Sequence, residues 1–86
     1  MAKSTWERSL KFHYGITIED WHAMLIAQSG RCDICTKPMM KPLVDHCHET
    51  GRVRALLCGA CNVGLGQFQD DVALMLRAIA YLEQHR

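Results

Sequence analysis

The sequence predicts a small α+β domain: two N-terminal helices, a β-hairpin stapled by four cysteines, a short helix crossing that hairpin, and a C-terminal helix closing the core. Three observations carry this. Apolar residues recur at helical spacing toward both ends of the chain. β-rich runs flank a glycine-containing turn in the middle. Two Cys-x-x-Cys pairs, Cys32/Cys35 and Cys58/Cys61, bracket that middle. At 86 residues the chain makes one domain, residues 1–86. A domain of this size buries only a modest share of its apolar surface, so a covalent or metal staple is expected.

Each element follows from local signals. Trp6, Leu10 and His13 or Tyr14 fall at helical spacing with Lys3, Glu7, Arg8 and Lys11 between them, and Gly15 ends this first helix. Thr17 reads as the N-cap of a second helix with Glu19 and Asp20 in its first turn, Ile18, Trp21, Met24 and Leu25 on one face, and Gly30 as its stop. Residues 31 to 37 form a tight cysteine-bearing turn, and Pro38 and Pro42 keep the next segment out of helix. Leu43 through His48 has strand character, Glu49-Thr50-Gly51-Arg52 supplies a turn, and Val53 through Leu57 returns to Cys58. Gly59 to Gly66 is a short helix weakened by three glycines. Asp70 or Asp71 then caps the final helix, with Val72, Met75, Leu76, Ile79 and Leu82 on one stripe. Trp6, Tyr14, Trp21 and Phe68 read as core aromatics, and Met39-Met40 as packing beside the hairpin, with exposed methionines wedged against a DNA groove as the alternative.

Ten Lys and Arg against nine Asp and Glu leave a formal charge of +1, so the whole-molecule field does not drive binding to nucleic acid, and polyanion contacts must come from local clustering. Lys37, Lys41, Arg52 and Arg54 supply such a cluster between the cysteine pairs, and a cation on Asp45 would make that segment distinctly positive. Arg52 and Arg54 either bind phosphate or form a solvated face. No apolar run reaches membrane-spanning length, and Met1-Ala2-Lys3-Ser4 leads into an amphipathic segment rather than a signal peptide. The expected compartment is therefore the reducing cytoplasm, where paired cysteines more often bind metal than form disulfides. An odd cysteine count, five, also fits poorly with a purely disulfide framework.

A Cys-x-x-Cys turn lets both thiolates reach one ion, and two such turns complete the tetrahedral S₄ shell that zinc prefers. Cys32, Cys35, Cys58 and Cys61 are thus the expected ligands of a structural zinc, closed to further ligands. Cys47 is read as a small residue on the hairpin's packed side, with a metal-ligand role as the alternative. His13, His22 and His85 have no metal-ligand spacing.

Asp45 and His46 on the first strand, with Asn62 just past the last cysteine, would converge if the short helix crosses the hairpin. These residue types suit phosphodiester hydrolysis. A hard cation such as Mg²⁺ or Mn²⁺ takes oxygen ligands, which Asp45 and the Asn62 side chain can supply. A neutral imidazole can accept a proton from the attacking water, and His46 is placed for that. His48, two residues on, is placed to contact the phosphate or tune the site. The plain reading of Asp45, His46 and Asn62 is a turn residue, a strand histidine and a helix-end cap.

The run Val44-Asp45-His46-Cys47-His48-Glu49-Thr50-Gly51-Arg52-Val53-Arg54-Ala55-Leu56-Leu57-Cys58-Gly59-Ala60-Cys61-Asn62, preceded by Cys32-Asp33-Ile34-Cys35, resembles the recombination endonuclease VII group within the HNH, or His-Me finger, nucleases. The similarity extends from Tyr14-Gly15-Ile16-Thr17 through Gly64-Leu65-Gly66 into the final helix. The resemblance implies a ββα-metal fold, a four-cysteine zinc site, and metal-dependent cleavage of DNA to 5′-phosphate and 3′-hydroxyl ends, typically by phage-encoded enzymes. Carried over by position, Asp45 and Asn62 would hold the catalytic cation, His46 would be the general base, and His48 an auxiliary residue. Junction-resolving members carry further C-terminal sequence for dimerisation and branched-DNA recognition, so nicking or general cleavage is expected at least as much as junction resolution. One site cuts one strand, and a duplex break needs two encounters or a homodimer. The rival expectations are a zinc-stabilised DNA-binding module with idle hydrolytic residues and a treble-clef protein-interaction domain.

Overall fold

A computed structural model describes residues 4–86. Met1, Ala2 and Lys3, used above against a signal peptide and on the polar face of the first helix, lie outside the described residues. The elements run α1 (Thr5–Tyr14), α2 (Ile18–Ala27), β1 (Leu43–His46), β2 (Val53–Leu57), α3 (Gly59–Gln67) and α4 (Val72–Gln84).

Local chemistry sets the boundaries. The Ser4 hydroxyl accepts the Glu7 N–H at the start of α1, and Gly15, at φ 71°, ends it. A left-handed residue there costs glycine nothing. Thr17 and Asp20 form a reciprocal capping box on α2, with N–H to side-chain oxygen distances of 2.9 and 3.1 Å. Asp71, rather than Asp70, caps α4 through the Leu74 N–H.

β1 and β2 pair antiparallel with Leu43 opposite Leu57, Val44 opposite Leu56, Asp45 opposite Ala55 and His46 opposite Val53. Arg54 is therefore an extra residue on β2, a β-bulge. The first strand is shorter than its sequence suggests. The Cys47 N–H donates to the Arg52 carbonyl and the Gly51 N–H to the Cys47 carbonyl, so the chain is already turning before His48. Among the described residues the sheet has these two strands, and the far edge of β2 is closed by a side chain. Gln28, at the end of α2, accepts the Leu56 N–H at 2.9 Å and donates to the Leu56 carbonyl at 2.9 Å and the Arg31 carbonyl at 2.8 Å. Gln28 thereby stands in for a missing strand and ties the N-terminal helices to the hairpin.

The buried core is small: Leu10, Cys32, Leu56 and Leu57. Two expectations need correction. Trp6 and Phe68 are 46% and 37% exposed, so they are not core residues. Trp6 meets the half-buried Trp21 edge-on, with centroids 5.0 Å apart. The final helix does not close the core either. Leu74, Met75 and Ala78 are half-buried, while Val72, Leu76, Ile79 and Leu82 face outward. Four helices around one hairpin offer too few surfaces to cover the whole apolar stripe of a 13-residue helix.

Candidate functional site

The turn after α2 and the start of α3 bring Cys32, Cys35, Cys58 and Cys61 together, with all four Sγ atoms within 4.8 Å of one another. A tetrahedral zinc–thiolate shell with bonds of ~2.3 Å has sulfur–sulfur edges of ~3.8 Å. The Cys35 and Cys58 Sγ atoms stand 3.8 Å apart. Soft thiolates at this spacing fit zinc, and the four residues fill its shell. Cys32 is buried, which pushes its thiol up, yet backbone N–H groups around Cys58, Cys35 and Ile34 outweigh burial and bring it down to about 6. Cys61 is raised to about 12, first by its contact with the Cys58 sulfur and then by burial. A divalent cation bound by these four residues would remove this conflict by holding all four sulfurs deprotonated. The Cys58 sulfur also accepts the Cys61 N–H, so this residue caps α3 as well as belonging to the cluster. Cys47 stands outside the cluster, half-buried, its thiol held below the ordinary value first by the Thr50 hydroxyl and then by backbone N–H groups.

Beside this cluster runs β1. Asp45 is 7% exposed, and its carboxylate receives a fork of hydrogen bonds from Arg54: Nε to Oδ2 at 2.6 Å and Nη2 to Oδ1 at 3.0 Å. The bulge makes this contact reachable. A regular register would set Arg54 opposite His46, on the other face of the hairpin from Asp45. The same Nη2 also donates to Asp70 Oδ2 at 3.2 Å, and His48 Nδ1 lies 3.7 Å from that oxygen. Hydrogen bonds to Asp45 chiefly, opposed by burial and aided by both carboxylates, hold the Arg54 charge more firmly than usual.

His46 is half-buried at the end of β1, its ring centroid 5.2 Å from that of His48 and 5.6 Å from that of Tyr14. Tyr14 thus sits at the edge of this site rather than in the core. His48 is exposed. Asn62 is half-buried in the first turn of α3, one turn past Cys58, and α3 packs against β1. A cavity of about 280 Å³ opens beside Arg54, lined by Cys47, His48, Glu49, Arg54, Gln69 and Asp70, and Asp45, His46 and Asn62 are not among its lining residues. The sequence offers Arg54 only as a phosphate ligand or solvated residue, and Asp70 only as a candidate cap of the final helix. The local excess of positive charge around Asp45 was the available signal for Arg54. Nothing in the sequence marked Asp70 for this site, because its place there depends on the left-handed turn at Gln69 and Asp70, φ 57° and 54°.

Among the described residues, no helix is long and apolar enough to cross a membrane.

The model of the family described as recombination endonuclease VII matches residues 7–84. The Gene 59 protein of Mycobacterium phage D29 is 41% identical over 87 residues, covering 96% of this chain and 53% of the phage protein. The Gene 59 protein of Mycobacterium phage L5 is 40% identical over 85 residues, covering 94% of this chain and 52% of its own length. The chain spans about half the length of these relatives. With a family model matched along nearly its whole described length, the chain belongs to the recombination endonuclease VII family.

Proposed function

We propose that residues 1–86 form a ββα-metal (HNH, or His-Me finger) nuclease domain that hydrolyses DNA phosphodiester bonds with a divalent cation, acting in phage DNA processing in the host cytoplasm. Family membership supports the nuclease reading. The observation that carries the chemistry is the packing of α3 against β1 beside the four-cysteine cluster, so that the Asn62 helix abuts the Asp45-His46 strand.

In this reading Cys32, Cys35, Cys58 and Cys61 hold zinc and fix the start of α3 relative to the hairpin. Asp45 and Asn62 hold Mg²⁺ or Mn²⁺, which when bound polarises the phosphate and neutralises charge on the leaving oxygen. His46 takes the proton from the attacking water. Tyr14 limits the space its ring can occupy. His48 lies beside His46 and contacts the phosphate or steadies the site. The products are a 5′-phosphate and a 3′-hydroxyl. Each domain cuts one strand, and a double-strand break takes a homodimer or two encounters.

One observation favours a second reading. The Arg54 fork on Asp45 is what a DNA-binding module with idle hydrolytic residues would also carry. Incubating zinc-loaded protein with supercoiled plasmid separates the two. The nuclease reading expects nicked circles with Mg²⁺ or Mn²⁺, none with EDTA, and ends that ligase reseals. Plasmid retarded on a gel but left uncut under every metal condition supports the binding module instead.

A further inference from the structure

We propose that Asp70 is a positioning residue for His48: its carboxylate takes the Nδ1 proton of the neutral imidazole, so that Nε2 carries the lone pair and is turned away from Asp70. This rests on the reading that His48 serves the hydrolytic site. In a neutral imidazole one ring nitrogen donates and the other accepts, and the partner of one decides which. A free histidine side chain favours the proton on Nε2. A carboxylate accepts hydrogen bonds and gives none, so one that faces Nδ1 shifts the proton there. Asp70 Oδ2 lies 3.7 Å from His48 Nδ1.

The two partners are held unequally. Two consecutive left-handed residues, Gln69 and Asp70, set the place of Asp70, and its N–H donates to the Leu65 carbonyl at 3.0 Å. Its Oδ2 accepts Arg54 Nη2 at 3.2 Å, and Arg54 is itself forked onto the buried Asp45. The Asp70 carboxylate is therefore tied both to the end of α3 and to the hairpin, with its side chain 20% exposed. The His48 side chain, in the hairpin turn, is 59% exposed and is the freer of the two. The imidazole is thus the group that moves the last 0.5 Å or so to hydrogen-bond length, a closure that sites of this kind commonly complete only with substrate bound. Held in this way, His48 keeps its ring edge-on to His46 and offers an acceptor at Nε2. A phosphate oxygen is itself an acceptor, so of the two roles open to His48 this favours steadying a water over contacting the phosphate.

Long-range ¹H–¹⁵N correlation spectra of the imidazoles in the zinc-loaded full chain, at about pH 8.5 where an ordinary imidazole is neutral, read the tautomer of each histidine without recourse to activity. His22 and His85, exposed and in no ion pair among the described residues, are the internal references. The Nδ1–H population of His48 is expected to exceed theirs by about two- to fivefold, the reach of a pair this exposed. Asp70→Gly suits the left-handed backbone and removes the carboxylate, so His48 should fall to the reference population. Asp70→Asn also tolerates that backbone and keeps an acceptor oxygen, so it should retain the excess. In Mg²⁺-dependent plasmid scission Asp70→Gly should lower kcat about two- to fivefold with KM unchanged, and should add nothing to His48→Ala. A wild-type His48 no richer in Nδ1–H than His22 and His85, a population unmoved by Asp70→Gly, or a further loss of kcat when Asp70→Gly is added to His48→Ala would overturn the proposal. The first of these needs no variant to fold. His48→Ala cutting as fast as wild type would instead remove the underlying reading, and the role of Asp70 with it.

Discussion

Replacing Gln28 by Leu tests how the hairpin is held. The side chain satisfies both polar backbone groups of Leu56, a residue with 0% exposure, and also bonds the Arg31 carbonyl. In Gln28→Leu the Leu56 N–H has no acceptor. The Leu56 carbonyl keeps only the long 3.4 Å contact from the Asp33 N–H, and the exposed Arg31 carbonyl turns to water. An unsatisfied buried group costs about 1–3 kcal/mol, so the N–H and part of the carbonyl together cost about 2–3 kcal/mol. A domain of this size loses about 4–8 °C of melting temperature per kcal/mol, which gives a drop of about 10–20 °C. Thermal unfolding should be compared at equal zinc occupancy, since ligand binding shifts the transition by itself. Amide hydrogen exchange then localises the effect, with protection of the Leu56 amide lost first. A drop under about 4 °C with the Leu56 amide still protected would refute the reasoning, since one unsatisfied group alone should exceed it.

Other perturbations follow from the same geometry. Cys58→Ser keeps an oxygen to cap α3 but removes a thiolate, so zinc stoichiometry measured by metal analysis should fall well below one and the near-ultraviolet circular dichroism should collapse. Thr17→Ala breaks the capping box of α2 and should cost about 1 kcal/mol in urea unfolding, with an unchanged denaturant slope. Gly66→Ala, in α3 with open space where its methyl would lie, should stabilise by about 0.5–1 kcal/mol, whereas Gly15→Ala, at φ 71°, should destabilise by about 1 kcal/mol. The same urea series reads both signs.

Much of the fold was legible because its boundaries are written in short-range chemistry. Thr17 with Asp20, Gly15 and Asp71 mark helix ends wherever they occur, and the four cysteines announce a shared ligand by spacing alone. What stayed hidden depends on tertiary packing. Period-2 alternation carries no sign of the bulge at Arg54, so the fork on Asp45 could not be foreseen from the strand pattern. Gln28 looks like any polar residue at a helix end until the edge of β2 is seen to lack a third strand. Apolar periodicity identified α4 but could not say how much of its stripe would be covered, and Trp6 was placed in the core for the same reason. At the candidate site, the sequence named Asp45, His46, His48 and Asn62. The Arg54–Asp70 bridge comes only from the folded chain.

The measurement that bears most directly on the account is the rate of Mg²⁺-dependent strand scission by wild type and by His46→Ala at matched zinc content. Loss of a general base should slow scission about 10²–10⁴-fold with zinc and fold retained. Equal rates for the two proteins, or no metal-dependent scission by wild type, would contradict it.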